Sequence, residues 1–237
     1  MIAAYIFYLD FCRDQNDPAS GATLTRVQDY CVKYRLAGPR KVAALLGVIQ
    51  AAGYCTREVA LVDARVKIFV PTAKAIAALN GILSPAIEAV QTLDGTDEYG
   101  RFLDRNPKAI CAISAFGFQH LYLNGLKIID GIPSLRQFFE MSGGLKLLFS
   151  LYAQRNSENV VVCNASNISK SFGVSRTQMQ RVMSLAEGLG YLKLGEPLGR
   201  RIELLPPIVA LIEAYISVHL AVLAIGARRA ITGASAT

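Results

Sequence analysis

The sequence predicts a mainly α protein with two small β-hairpins: two helical units, each closed by a hairpin, joined by a helical middle region. Three observations carry this. Apolar residues recur at helical spacing through most of the chain. Two pairs of short strand-forming runs, Thr56–Leu61 with Arg65–Val70 and Leu192–Leu194 with Arg201–Leu205, are each separated by a turn-length segment. An ungapped shift of 137 residues lays Gly38–Tyr54 over Ser175–Tyr191. Under that shift Val42, Leu45, Leu46 and Ile49 fall on Met179, Val182, Met183 and Ala186, and Gly53-Tyr54 falls on Gly190-Tyr191. The match reads as a structural duplication.

Taken in order, Met1–Arg13 reads as an apolar helix and Asp17–Gly21 as a turn. A second helix starts at Thr23 or Thr25 and runs through Arg35. Gly38-Pro39 opens a third, with proline in the first turn, where its missing amide costs nothing, and Gly53 ends it. The hairpin at 56–70 then completes a first unit over residues 1–80, with the helix-forming Ala73–Leu79 after Pro71. Residues 81–143 form the middle region. It holds helical candidates at Ser84–Leu93, at Asp97–Asp104, from Pro107 to about Asn124, and from Ile132 to Phe139. Gly143-Gly144 marks the boundary to the second unit, residues 144–206.

That unit opens with an apolar helix, Leu145–Arg155, and continues to a short helix, Ala165–Ser171, broken by Gly173. Ser175 can cap a longer helix, Arg176–Gly188, because its hydroxyl can accept an otherwise orphan amide. Gly195, Pro197 and Gly199 shape the turn of the second hairpin, and Pro206-Pro207 stops its last strand. Residues 207–226 read as a long C-terminal helix and 227–237 as a disordered tail. Ile208–Ile225 is very apolar but is interrupted by Glu213 and His219. A membrane span needs about 20 apolar residues, and a charge at its centre costs about 2.5–3.5 kcal/mol. The expectation is therefore a helix packed against the middle region or against its copy in another subunit.

An apolar share of 52% over 237 residues can bury more than one core. The net charge of +7 is unevenly spread: residues 1–80 carry ten basic and six acidic side chains, 81–140 five and seven, and 141–237 ten and five. Two basic ends around a non-basic centre suit two nucleic-acid-facing units. Cysteines at 12, 31, 55, 111 and 163 lack metal-site spacing and are odd in number, which reads as mostly buried thiols in a reducing compartment, the cytoplasm. Met1–Phe11 lacks the basic start and cleavage site of a secretory leader. His120 and His219 lie in apolar helical contexts, and the sequence shows no His-Glu-x-x-His, Cys-x-x-Cys or phosphate loop. No catalytic residue, metal or cofactor is expected, and the chain does not read as an enzyme.

The residues of the second unit resemble a winged helix-turn-helix. The resemblance rests on Gly173-Val174-Ser175-Arg176-Thr177, on the Leu189-Gly190-Tyr191 junction and on Arg200-Arg201. It implies two winged-helix domains joined by the helical middle. It also implies similarity to the MarR-like transcriptional regulators, with two units fused in one chain where those relatives use two chains. The implied function is sequence-specific binding of double-stranded DNA, with helix 175–188 in the major groove and hairpin 193–204 as the wing.

Helical spacing puts Arg176, Thr177, Gln180 and Arg181 on the outer side of that helix, with Gln178 at its margin. Arginine can fork onto guanine O6 and N7, and glutamine onto adenine N6 and N7. Ser175 and the helix N-terminus favour a phosphate. Lys170 is a further phosphate candidate, and Lys193, Arg200 and Arg201 are wing candidates. The first unit offers Arg40 and Lys41 on its matching helix and Arg65 and Lys67 on its hairpin, but Ala43 and Ala44 stand where Gln180 and Arg181 stand. It is expected to touch the DNA backbone, to act as a second reading head, or to bind a protein.

Other expected partners are a second copy of the chain, through the C-terminal or middle helices, and a small aromatic effector. Phe116, Phe118, Tyr122, Phe138 and Phe139 either line an effector pocket or form a core stripe. The rival reading is a tandem winged-helix scaffold that binds proteins in chromosome or replication machinery. Acidic residues interrupting the basic face would favour it.

Overall fold

A computed structural model describes residues 2–14, 16–17, 19–60, 63–106, 108–119, 123, 128–162, 175–195 and 201–235. The described chain is mainly helical with two small antiparallel sheets. It divides into two compact units, one of Met1–Leu126 with Leu220–Thr237, the other of Lys127–His219.

In the first unit, α1 (Ile2–Phe11) buries Tyr5, Ile6, Phe7 and Leu9. Helix α2 (Leu24–Lys33) begins where the Thr23 hydroxyl accepts the Arg26 amide at 3.2 Å. Helix α3 (Pro39–Ala51) follows Gly38, and the Gln28 side chain donates to the Pro39 carbonyl at 3.0 Å, tying α2 to the start of α3. Strands β1 (Cys55–Val59) and β2 (Lys67–Pro71) pair from Cys55↔Pro71 to Val59↔Lys67. An isolated bridge, Thr23↔Ile68, adds the segment before α2 to that hairpin. Three helices followed by a short antiparallel hairpin, over residues 2–71, are consistent with a generic winged helix-turn-helix topology. Its core gathers Tyr5, Leu9, Val27, Cys31, Val42, Leu46 and Phe69.

Helix α4 (Ala73–Asp94) starts from a Thr72 cap and passes through Pro85. This corrects the expectation of separate helices at 73–79 and 84–93. Proline removes one amide and crowds the carbonyl four residues back. The helix continues because Ala75, Ile87 and Val90 all bury along it. Helices α5 (Glu98–Arg105) and α6 (Ala109–Phe118) complete this part.

In the second unit, 3-10 turns at Ile128–Gly131 and Pro133–Leu135 lead into α7 (Arg136–Glu140). Gly143 takes a φ of 73° before α8 (Gly144–Gln154), a left-handed conformation that glycine adopts without strain. A side chain on Gly144 would overlap the Phe138 carbonyl. Strand β3 (Val160–Val162) was not foreseen from the sequence. It is a run of β-branched residues with no polar alternation to betray it. Helix α9 (Arg176–Gly188) is followed by β4 (Leu192–Leu194) and β5 (Arg201–Leu204), and the sheet order is β3-β5-β4. The expected helix at 165–171 lies outside the described residues.

The last helix, α10, spans Pro206–Ser235, so residues 227–235 continue a helix where a disordered tail was expected. Ile208 and Ile212 join the core of the second unit, and Ala227 and Ala230 that of the first. Burial of these apolar faces explains why helix wins over tail. Arg228 adds a polar anchor, donating to Asp94 Oδ2 at 2.8 Å and to the Tyr99 hydroxyl at 3.1 Å. Gly226 lies where a side chain would overlap the Ile113 carbonyl on α6. Gly226→Val is therefore expected to destabilise the first unit by about 1–3 kcal/mol. Gly233→Ala, where a Cβ meets nothing within 4 Å, is expected to be neutral or mildly stabilising. Urea midpoints of the two variants check this.

Candidate nucleic-acid interface

Helix α9 is built by three local features. At its start Ser175, itself extended, accepts the Gln178 amide on its Oγ at 3.1 Å. Along one side Met179, Val182, Met183 and Ala186 are buried. At its end Gly190 takes a φ of 69°, and the Tyr191 amide reaches back to the Ala186 carbonyl at 2.8 Å. This is a Schellman closure, and it needs glycine at the left-handed position. The Leu205 amide then bonds the Tyr191 carbonyl at 2.9 Å and begins α10.

The same junction stands in the first unit. Gly53 has a φ of 75°, the Tyr54 amide bonds Ile49 at 3.0 Å, and the Thr72 amide bonds the Tyr54 carbonyl at 3.1 Å ahead of α4.

With one side of α9 committed to the core, Arg176, Thr177, Gln180, Arg181 and Ser184 are all exposed on the other. Gln178 is half-buried at the margin. No acidic residue occupies the first turn to offset the positive end of the helix. Among the described residues no carboxylate pairs with Arg176 or Arg181. The face runs without an acid until Glu187, whose carboxylate accepts the Leu194 amide at 3.1 Å and fastens the end of α9 to the hairpin.

The hairpin pairs Leu192↔Leu204, Lys193↔Glu203 and Leu194↔Ile202. Partners in register share a face, so Leu192, Leu204 and Ile202 turn inward and Lys193 outward. Lys193 and Arg201 are exposed. Glu203 sits opposite Lys193 and two residues from Arg201, and this acid was not foreseen. The alternation in Arg201-Ile202-Glu203-Leu204 already carried that signal, because residues two apart on a strand share a face. The hairpin is thus a weaker cation surface than the helix. Lys170 and Arg200 lie outside the described residues. If Lys193 and Arg201 touch phosphates, their joint replacement by alanine is expected to flatten the salt dependence of duplex binding by about 0.9 in log–log slope per lost contact. An unchanged slope in a salt titration argues against wing contact.

In the first unit Arg40 and Lys41 are exposed at the start of α3, and Lys67 is exposed on β2. Arg65 is engaged: its guanidinium meets Asp63 Oδ1 at 3.2 Å. The side-chain and backbone bonds from Arg65 hold the Asp63 carboxyl below its ordinary range. Asp63 is thus an internal competitor for the Arg65 charge.

Of the five aromatic residues, the three with described side chains, Phe116, Phe138 and Phe139, do different work. Phe138 is fully buried in the core of the second unit, while Phe139 is 53% exposed. Phe116 meets Phe11 edge-on at 5.6 Å in the first unit. Tyr122 and the side chain of Phe118 lie outside the described residues. A cavity of about 230 Å³ in the first unit is lined by Asn80, Ser84, Glu88, Gln91 and Asp104 over a floor of Ile87 and Leu103, and none of its lining residues is aromatic.

Among the described residues no group of histidine, cysteine and carboxylate side chains could hold a metal ion. Cys12, Cys31, Cys55 and Cys111 are free, and burial pushes the Cys111 thiol up to about 11, which keeps it protonated and poorly nucleophilic at neutral pH. Ala73–Asp94 and Pro206–Gly233 are long and apolar enough to cross a membrane by length and composition alone, a test that core helices also pass. No protein-family model matches the chain, and no curated protein or solved structure matches it significantly.

Proposed function

We propose that the chain binds double-stranded DNA sequence-specifically, with α9 in the major groove and the β4–β5 hairpin as a wing, and that it regulates transcription by reversible occupation of its site. The observation that carries the reading is the outer face of α9. Arg176, Thr177, Gln180, Arg181 and Ser184 are exposed together, while the opposite side is consumed by the core. Arginine and glutamine at that spacing offer paired donors and acceptors to base edges, and the capped N-terminus offers amides to a phosphate. A helix fits the major groove, which is about 12 Å wide.

The recurring glycine–tyrosine junction supports a duplication, with two winged-helix domains in one chain serving the role that MarR-like regulators divide between two chains. On this reading the chain works in the cytoplasm, beside the DNA, in keeping with its free cysteines. Glu203 on the wing favours the rival, a protein-binding scaffold, since it interrupts the basic strand face.

Selection of bound duplexes from a random pool, at one fixed salt concentration, separates the two. DNA reading requires a recurrent motif with guanine or adenine at the positions under Arg176, Gln180 and Arg181. Recovery of duplexes with no common sequence counts against it.

A further inference from the structure

The outer face of α3 differs chemically from that of α9. The two helices have the same length and share the Gly-Tyr closure, and Ala43, Ala44 and Gly47 occupy the positions of Gln180, Arg181 and Ser184. All three are exposed, and Val48 beside them is 65% exposed. A side chain built on Gly47 would meet nothing within 4 Å. The core side of α3, Val42 and Leu46, is fully occupied. The centre of this face therefore holds no hydrogen-bonding group that could read a purine.

Its start is different. Arg40 and Lys41 are exposed in the first turn, no acid stands there, and no carboxylate among the described residues pairs with either. Residues 1–80 as a whole are basic. A protein partner of an apolar face is usually gripped by aromatic or arginine anchors in a desolvated centre. Here the centre is small and flat and the cations stand at the rim, the arrangement that suits a polyanion with an apolar floor.

The major groove presents one apolar group, the thymine C5 methyl, which pairs with alanine and similar side chains. Resting on the DNA-binding reading above, we infer that α3 is a second reading head, for a thymine-rich half-site. Arg40 and Lys41 hold the phosphates, and Ala43, Ala44 and Val48 cover the methyls. Because the outer faces differ, the two heads read different bases: a guanine- and adenine-bearing half for α9 and a run of thymines for α3.

The test uses the full chain and the duplex recovered by selection. Thymines are replaced by deoxyuridine in one half-site at a time, which removes the methyl and nothing else. Replacement in the half not governed by Arg176 and Arg181 is expected to weaken binding about fourfold per covered thymine, the worth of one buried methyl group. Replacement in the other half is expected to be nearly silent. Val48→Asn, at an exposed position, is expected to remove the uracil effect at the thymine that Val48 covers, and only there, while circular dichroism stays unchanged.

Equal binding of thymine and uracil duplexes overturns the inference and leaves the α3 face to a protein, even if the α9 half-site is read as proposed. Failure to bind any duplex with sequence preference instead overturns the underlying reading, and with it this one.

Discussion

Alanine at both Arg176 and Arg181 is expected to erase the guanine preference read by α9 and leave the fold intact. Both side chains are exposed on α9 and pair with no described carboxylate, so their removal opens no cavity and orphans no charge. A good arginine–base pair is worth about 1–3 kcal/mol of discrimination. Losing two should therefore cut the ratio of cognate to scrambled binding by roughly a hundredfold. Non-specific binding should survive, because it comes from phosphate contacts elsewhere and depends on salt. Fluorescence anisotropy with the two duplexes at matched salt reads the ratio. A double variant that keeps the wild-type ratio removes α9 from the recognition surface.

Phe138→Ala is expected to be the most damaging single core change. The ring is fully buried among Leu135, Leu147, Leu151 and Met183, with Tyr191 6.1 Å away between ring centres. Truncating such a ring costs about 3–5 kcal/mol, part transfer and part cavity, which is a large share of a domain's stability. The variant should lose DNA binding because the core that also holds the buried side of α9 is weakened, not because a contact to DNA is gone. Phe139→Ala, one residue on and exposed, should stay within about 0.5 kcal/mol of the parent. Thermal unfolding of the pair separates core from surface, and similar melting for both would contradict the packing described.

The two phenylalanines also show where the sequence was legible. Alternation between a buried and an exposed aromatic cannot be read from residue type, so both were natural candidates for one pocket or one stripe. Helix α9 was legible from end to end, because a serine cap, a four-residue apolar face and a left-handed glycine all signalled the same thirteen residues. The hairpins were legible through their breakers. Strand β3 was not, since three valines form a strand only once β5 offers Val160↔Glu203 and its neighbours a ladder. The extension of α10 to Ser235 depends on Gly226 meeting α6 and on Arg228 meeting Asp94 and Tyr99, contacts across more than a hundred residues that local propensity does not contain. At the candidate interface, the outward residues of α9 followed from helical period alone. Of the carboxylates beside the cations, Glu203 is legible from strand alternation, whereas Asp63 emerges only with the turn geometry in view.

A photo-crosslinking side chain at position 180, the middle of the outer face of α9, tests the central claim most directly. The account predicts light-dependent crosslinks from that position to bases of the selected duplex, and none when the same group stands at exposed Gln154 on α8. A protein that holds the duplex yet yields no crosslink from position 180, or equal yields from both positions, contradicts it.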